Sequence, residues 1–393
     1  MEASKNLLIK MEWALNACLL AIPIALTFSR ALIEILFILV ILGRVLIAYL
    51  KEEKLFRRHS LFGPLLSFAC VGILSLIHCE FLMKGFKEWV NLAEYLLITC
   101  IAFEQFSREK RLMFLLVQII FWSSFVIALD GLVQFYLGHD LIRMKEPQVF
   151  QNVFRLTASF NHPNSLGIYL AMVIPIVLAA CTEKFKWIYV VLLGLLLGVL
   201  ILTYSRGSWL ALAMAWILYA LIKDKRLLIP MVILGIVLIY FLPEVLLQRM
   251  KDVFNFKNVT TQMRWTTWHE AFNLYLKKPW MGYGLKSFSL VLKKGYVHNC
   301  FLQILVEMGV AGFISFIWIL AVFFKKTLSS KNPNYVVGIG CSVVAFTLHA
   351  ATDTDLYSIP IATFFWFLLG VGISSNRENI SDFSKDSSPS KKW

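Results

Sequence analysis

Charged residues are scarce in this chain: Asp, Glu, Lys and Arg make up 16% of its 393 residues, where a soluble domain carries roughly 25%. Together with 59% hydrophobic content, against roughly 45–50% in soluble domains, this shortage excludes a soluble globular class. Acidic residues are fewer still, 24 against 38 basic ones, for a formal net charge of +14. Such an excess can serve nucleic acid. Here no polar basic face exists, because Lys and Arg are scattered between apolar runs, which fits lipid head groups and membrane topology and sets nucleic acid aside. Cysteine motifs are missing as well. The seven cysteines are odd in number, sit mostly in apolar runs (Cys18, Cys70, Cys100, Cys181, Cys341) and show no C-x-x-C spacing, so neither a disulfide framework nor a zinc site is expected. Lys5 and Lys10 precede an apolar run without a small-residue cleavage site behind it, so a retained signal anchor is expected. No internal repeat of the kind that marks two-halved transporters is present.

What is present is a succession of apolar runs near the roughly 20 residues that a spanning helix needs. They fall at 11–28, 31–50, 61–79, 89–106, 112–135, 164–181, 187–203, 207–222, 227–242, 299–324, 335–350 and 357–374. An all-α polytopic membrane protein of about twelve helices is expected, as a single domain over 1–374, ending in a polar tail over 375–393 that reads as disordered. The short turns at 51–59, 107–111, 182–186, 223–226 and 325–331 are basic and alternate with turns that are not, which places them in the cytoplasm together with both termini. The segment 136–163, the turn around Arg206, the loop 243–297 and the turn 351–355 then share the outer face. That loop carries nine Lys/Arg against three Asp/Glu. A long loop is translocated regardless of charge, so its basic excess serves either anionic head groups or an anionic substrate. Near-helical spacing of Met263, Trp265, Trp268, Ala271, Phe272 and Tyr275 predicts an amphipathic helix over 261–277, ended by Pro279 and followed by a turn at Gly282-Tyr283-Gly284.

Candidate chemistry lies on these four outer segments and at the start of the helix that follows the loop. Arg206 lies between two apolar helices on the outer side, where it either reaches lipid phosphate or clamps a phosphorylated substrate through its planar fork of donors. Arg264 belongs to the amphipathic helix, beside interfacial tryptophans. His298, with Asn299, stands where the loop re-enters the membrane, and an imidazole there can accept a proton from a hydroxyl at neutral pH. One turn later, Gln303 and Glu307 share a helix face, lining the same cavity or bonding to neighbouring helices. Asp353-Thr354-Asp355 is a D-x-D that serves as a polar turn, a second proton acceptor or, less commonly, a cation site. The segment at 155–167 brings Arg155, His162 and Asn164 to a helix start, with Asn161 or Asn164 as a cap or Arg155 as a further basic wall. Glu34, Arg44 and Asp130 lie within apolar runs and receive no role.

Taken in order, RLTASFNHPNSLG from Arg155, TYSRGSWLA around Arg206, R-W-x-x-W with P-W-M-G-Y-G from Arg264, and H-N-x-x-L-Q-x-x-x-E-x-G from His298 resemble the O-antigen ligase family of bacterial inner-membrane proteins. The resemblance runs over about 155–312. It implies a metal-independent glycosyltransferase without a bound cofactor, on a membrane fold similar to C-type glycosyltransferases. The family's donor is a glycan on undecaprenyl diphosphate, and its ligases transfer the glycan to a sugar hydroxyl of lipid A-core at the periplasmic face. Arg206, Arg264 and His298 match the family's two arginines and histidine, and the implied lack of a metal argues against a cation at the D-x-D. Polymerases and protein O-oligosaccharyltransferases of the superfamily look similar, and a flippase is the non-enzyme alternative. A length of 393 leaves little room for the extra periplasmic domain of many protein-glycosylating relatives, which favours a ligase.

Overall fold

The structure is a computed structural model that describes residues 2–150, 153–183, 185–241, 259–292 and 295–374. The expected tail, residue 242 at the end of the run 227–242, and the parts of the 243–297 loop at 243–258 and 293–294 lie outside the described residues. Helices stand at all twelve apolar runs: α1 Glu2–Phe28, α2 Arg30–Lys51, α3 Phe62–Ser75, α4 Leu82–Arg108, α5 Arg111–Leu137, α6 Pro163–Glu183, α7 Trp187–Leu202, α8 Arg206–Ile222 and α9 Leu228–Phe241, with three more after the loop. The loop itself holds α10 Val259–Lys277 and the short α11 Ser287–Val291, and the later helices are α12 Cys300–Thr327, α13 Asn334–Ala350 and α14 Ile359–Ser374. Five of these, α1, α2, α5, α6 and α12, are long and apolar enough to cross a membrane, and α3, α7, α8, α13 and α14 are shorter apolar helices. The fold is that of a helical membrane protein. An all-α expectation is corrected in one place: β1 Gln148–Phe150 pairs antiparallel with β2 Val153–Arg155, Gln148 opposite Arg155.

Which helix lies where follows from its apolar distribution. Every residue of α14 from Ile361 to Ser374 is buried, and α6 is buried without a break from Leu166 to Ala179. A helix apolar all round belongs at the centre. By contrast, α2 buries Ile33, Leu36, Phe37 and Val40 while Ile35, Ile38, Leu39 and Leu42 face outward, an apolar outer surface that only lipid solvates well. Between apolar helices in lipid there is little hydrophobic gain, so close backbone approach has to hold them. Gly370 of α14 provides it: a Cβ there would lie 2.2 Å from the Thr99 carbonyl oxygen of α4, and Thr99 Oγ1 donates to the Trp366 carbonyl at 2.8 Å. α14 packs on α4, and α13 packs on α6 and α8.

The basic turns gather at one end of this bundle. Arg44 of α2 donates to Glu104 of α4 at 2.9 Å, both fully buried, and Arg108 reaches the same carboxylate at 2.6 Å. Arg44 thus pairs inside the bundle. Lys223 donates to the Ser330 carbonyl at 3.1 Å, Ser107 to that of Ser374 at 3.4 Å, and Thr182 shares a hydrogen bond with Tyr219 at 2.6 Å. Arg30 and Glu88 stand on the same helices as Arg44 and Glu104 but about 20–25 Å away along the axes, at ~1.5 Å per residue. The candidate residues lie at that other end.

α12 is broken at Gly309 (φ 66°, ψ −168°), and the break is where the loop docks. Tyr283 and Gly284 donate their N–H groups to the carbonyls of Val306 and Glu307 at 3.0 and 2.9 Å, while Val310 N–H reaches the Pro279 carbonyl at 2.8 Å. The P-W-M-G-Y-G and E-x-G motifs are thus two sides of one joint, filling backbone groups that the break leaves open. A Cβ on Gly309 would sit 2.3 Å from the Trp280 carbonyl, in a left-handed backbone that L-residues resist. Gly309→Ala is expected to lower stability by about 2 kcal/mol or more. Gly194→Ala, in the middle of α7 with open space around the added carbon, is expected to leave stability unchanged or raise it by up to about 1 kcal/mol. Thermal unfolding of both variants in detergent checks the contrast.

Candidate active site

The sequence places the candidate residues by opening three helices at one point. Pro163 is the first residue of α6, a position its fixed φ suits. Asn299 is the N-cap of α12 and accepts the Leu302 N–H at 3.0 Å. Ile359 opens α14 directly after the D-x-D turn. Helix N-termini carry partial positive charge, so the hollow between them favours an anion before any side chain is counted.

That hollow is a cavity of about 470 Å³ whose wall includes Arg155, Asn164, His298 and Asp353. Of the other expected site residues, Arg206, Arg264, Asn299, Gln303 and Glu307 lie outside the lining among the described residues. Asp353 ties the group together. Its Oδ2 accepts from Asn164 Nδ2 at 2.6 Å and lies 4.0 Å from Arg264 Nη2; its Oδ1 accepts the Thr354 N–H at 2.8 Å and faces His298 Nδ1 at 3.3 Å. Behind Asn164, Arg155 donates to its Oδ1 at 2.9 Å and to the Thr203 carbonyl at 3.0 Å. Asn164 therefore does not cap α6. Neither does Asn161, whose Oδ1 accepts from Lys145 Nζ at 2.6 Å.

Arg206 opens α8 next to this network. Gly207 lies so close to the end of α13 that a Cβ would meet His349 Cδ2 at 3.1 Å and Thr352 Oγ1 at 3.2 Å. Tyr204 before it and His298 across the site both adopt left-handed backbone, φ 54° and 55°. A non-glycine residue in that region carries a cost of about 1–2 kcal/mol, and such strain clusters at functional sites. Asn299, Gln303 and Glu307 make bonds that shape the chain around the site. Gln303 donates to Glu307 Oε1 at 3.1 Å and accepts the Val297 N–H at 3.4 Å, and Tyr357 donates to Glu307 Oε2 at 3.0 Å, so the pair holds the backbone that presents His298.

The electrostatics divide the D-x-D. Burial would raise the Asp353 carboxyl, but the His298 hydrogen bond and the nearby His349 and Arg264 hold it well below the usual carboxylate range. Burial prevails at Asp355, which is pushed up although His349 Nδ1 contacts its Oδ2 at 2.7 Å. The two carboxylates face different histidines. His298 is half-exposed, with 49% of its side chain accessible against 13% for Asp353. With the Nδ1 proton directed at Asp353, its Nε2 is left as an acceptor. The arrangement can orient a base and neutralise an anion.

The model of the O-antigen ligase family matches residues 190–317, which hold Arg206, Arg264 and His298. A ComP-specific O-oligosaccharyltransferase of Acinetobacter baylyi is 25% identical over 337 residues, 78% of this chain. The chain spans 55% of that relative's length. Asp353, Arg155 and Asn164 stand outside the matched O-antigen ligase segment, and the fold brings them to it. Arg30, Arg143, Lys286 and Tyr296, which also line the cavity, escaped the sequence reading. The left-handed backbone of Lys286, φ 66°, marks it only once the structure is known.

Proposed function

We propose that this protein is an O-antigen ligase of the bacterial inner membrane that transfers a glycan from undecaprenyl diphosphate to a sugar hydroxyl of lipid A-core, with the cavity facing the periplasm and both termini in the cytoplasm. The observation that carries the reading is the gathering of Asn164, Arg264 and His298 on the Asp353 carboxylate, at a hollow rimmed by helix N-termini. The orientation rests on the basic turns at the opposite end of the bundle. In the reaction, the acceptor oxygen attacks the anomeric carbon, its proton passes to His298 Nε2, and the bond to the diphosphate oxygen breaks with inversion. Arg206 and Arg264 neutralise the charge on the departing diphosphate, so no metal is required.

A second reading, transfer to a protein hydroxyl, is favoured by the relative's description as an O-oligosaccharyltransferase. Both readings use the same donor chemistry and differ in the acceptor. Replacing Arg206 or Arg264 by Lys keeps the charge and removes the bidentate fork. Each change is expected to cost about tenfold to a hundredfold in transfer, the worth of a charge-assisted hydrogen bond. Steady-state assays on purified protein with lipid-linked donor measure the loss, and two fully active variants would exclude the clamp.

A further inference from the structure

The site described so far uses one side of the cavity. On the other side stand Glu88, Asn91 and Tyr95 of α4, whose spacing of three and four residues puts them on one helix face. Because α14 packs on α4 while α13 packs on α6 and α8, the turn carrying Asp353 separates this wall from the one with Asn164, and Arg206 opens α8 on the α6 side, outside the lining. Lys286 and two tyrosines complete it. Lys286 Nζ donates to Tyr296 Oη at 2.9 Å and lies 4.8 Å from the centre of that ring, and the rings of Tyr296 and Tyr357 are 5.3 Å apart. A carboxylate, a carboxamide and an ammonium beside aromatic faces suit a polyhydroxylated ring: hydroxyls meet the polar groups and the C–H face meets the tyrosines.

Below the wall is an annex of about 50 Å³ that shares Glu88, Asn91, Tyr95, Leu356 and Tyr357 with the main cavity. Its remaining walls are apolar, from Phe68, Leu92, Leu285, Ile304, Met308 and Trp366. At the roughly 10–15 Å³ that one water occupies by such a measure, it takes a substituent of a few heavy atoms with an apolar end.

We propose that the Glu88–Asn91–Tyr95 wall is the subsite for the acceptor sugar, and that the annex selects a ring bearing a small substituent such as acetamido. The inference rests on the glycosyl-transfer reading. An in-line attack needs the nucleophile opposite the leaving group, and this wall lies across the Asp353 turn from the α6 wall, on whose side α8 packs.

Saturation-transfer NMR on the full chain in nanodiscs tests the subsite without turnover, with N-acetylglucosamine and glucose as probes and inorganic pyrophosphate as a probe of the arginine side. Both sugars are expected to receive saturation, most strongly the acetamido methyl. The signal should fall at least fivefold in the Glu88→Gln, Asn91→Ala double variant, while pyrophosphate binding stays within twofold. Leu92→Phe, which fills the annex, should erase the preference for N-acetylglucosamine and leave glucose binding within twofold. Absent saturation in the wild type, a signal that survives the double variant, or joint loss of sugar and pyrophosphate binding would overturn the subsite; an unchanged preference in Leu92→Phe would overturn the annex. If sugar binding behaves as expected but the wild type joins no glycan to lipid A-core, the sugar subsite stands and the ligase reading falls.

Discussion

His298→Ala is expected to reduce glycan transfer by about 10²–10⁴-fold, the range attached to a lost general base, while lipid-linked donor still binds. The split follows from geometry. His298 is half-exposed beside the cavity, its Nδ1 faces Asp353 and its Nε2 is left for the attacking hydroxyl. The proposed diphosphate contacts belong to Arg206 and Arg264, which the substitution does not touch. Initial rates and donor affinity, measured separately, check it. Full activity in the variant would remove the base from the mechanism, and a loss of donor binding equal to the loss of rate would make His298 a binding residue.

Asp353→Asn should come close to that loss, about 10²-fold or more in kcat, although Asp353 need not touch the reacting atoms. A neutral amide keeps the shape but removes the charge that faces His298 and Arg264, and it places a donor where Asn164 already donates. As a positioning residue, Asp353 should lower kcat with donor KM held within about threefold, since an interaction made mainly in the transition state is lost. A contact to the substrate glycan would raise KM instead. The pH dependence gives a second check. The folded Asp353 carboxyl titrates below its ordinary value, near ~3.9 in an unfolded chain. Its stabilising contribution is therefore present above that value and lost only as pH falls through the folded one. The difference in thermal midpoint between wild type and Asp353→Asn should not narrow from neutral pH to about pH 5, because protonated His349 gains from the same charge, and should narrow only in stronger acid.

The helices were legible because membrane-length apolar runs are an intrinsic signal: each expected run carries a helix, and Arg264 and His298 were marked by motifs. The role of Asp353 was not legible. It stands 55 residues from His298, and a D-x-D in a polar turn looks the same whether it binds a cation, a substrate or three neighbouring side chains. The α4 wall was hidden for a different reason. Charged residues at Lys84, Lys87 and Glu88 interrupt the apolar run, so the expected helix began at residue 89, whereas α4 starts at Leu82 and carries Glu88 into the cavity. The hairpin at 148–155 offered no better cue, being two very short strands whose Val149 and Phe154 are exposed. Gln303 and Glu307 share a face as expected, but the face points into the bundle, where both are fully buried.

The central claim is that two substrates meet at Asp353 and leave joined. The most direct test gives purified protein in nanodiscs an undecaprenyl-diphosphate-linked glycan and lipid A-core, with the products resolved by mass. The account predicts glycan covalently attached to lipid A-core and one undecaprenyl diphosphate released per transfer, both lost in His298→Ala. Donor recovered unchanged, or moved across the bilayer with its glycan still attached, would contradict it.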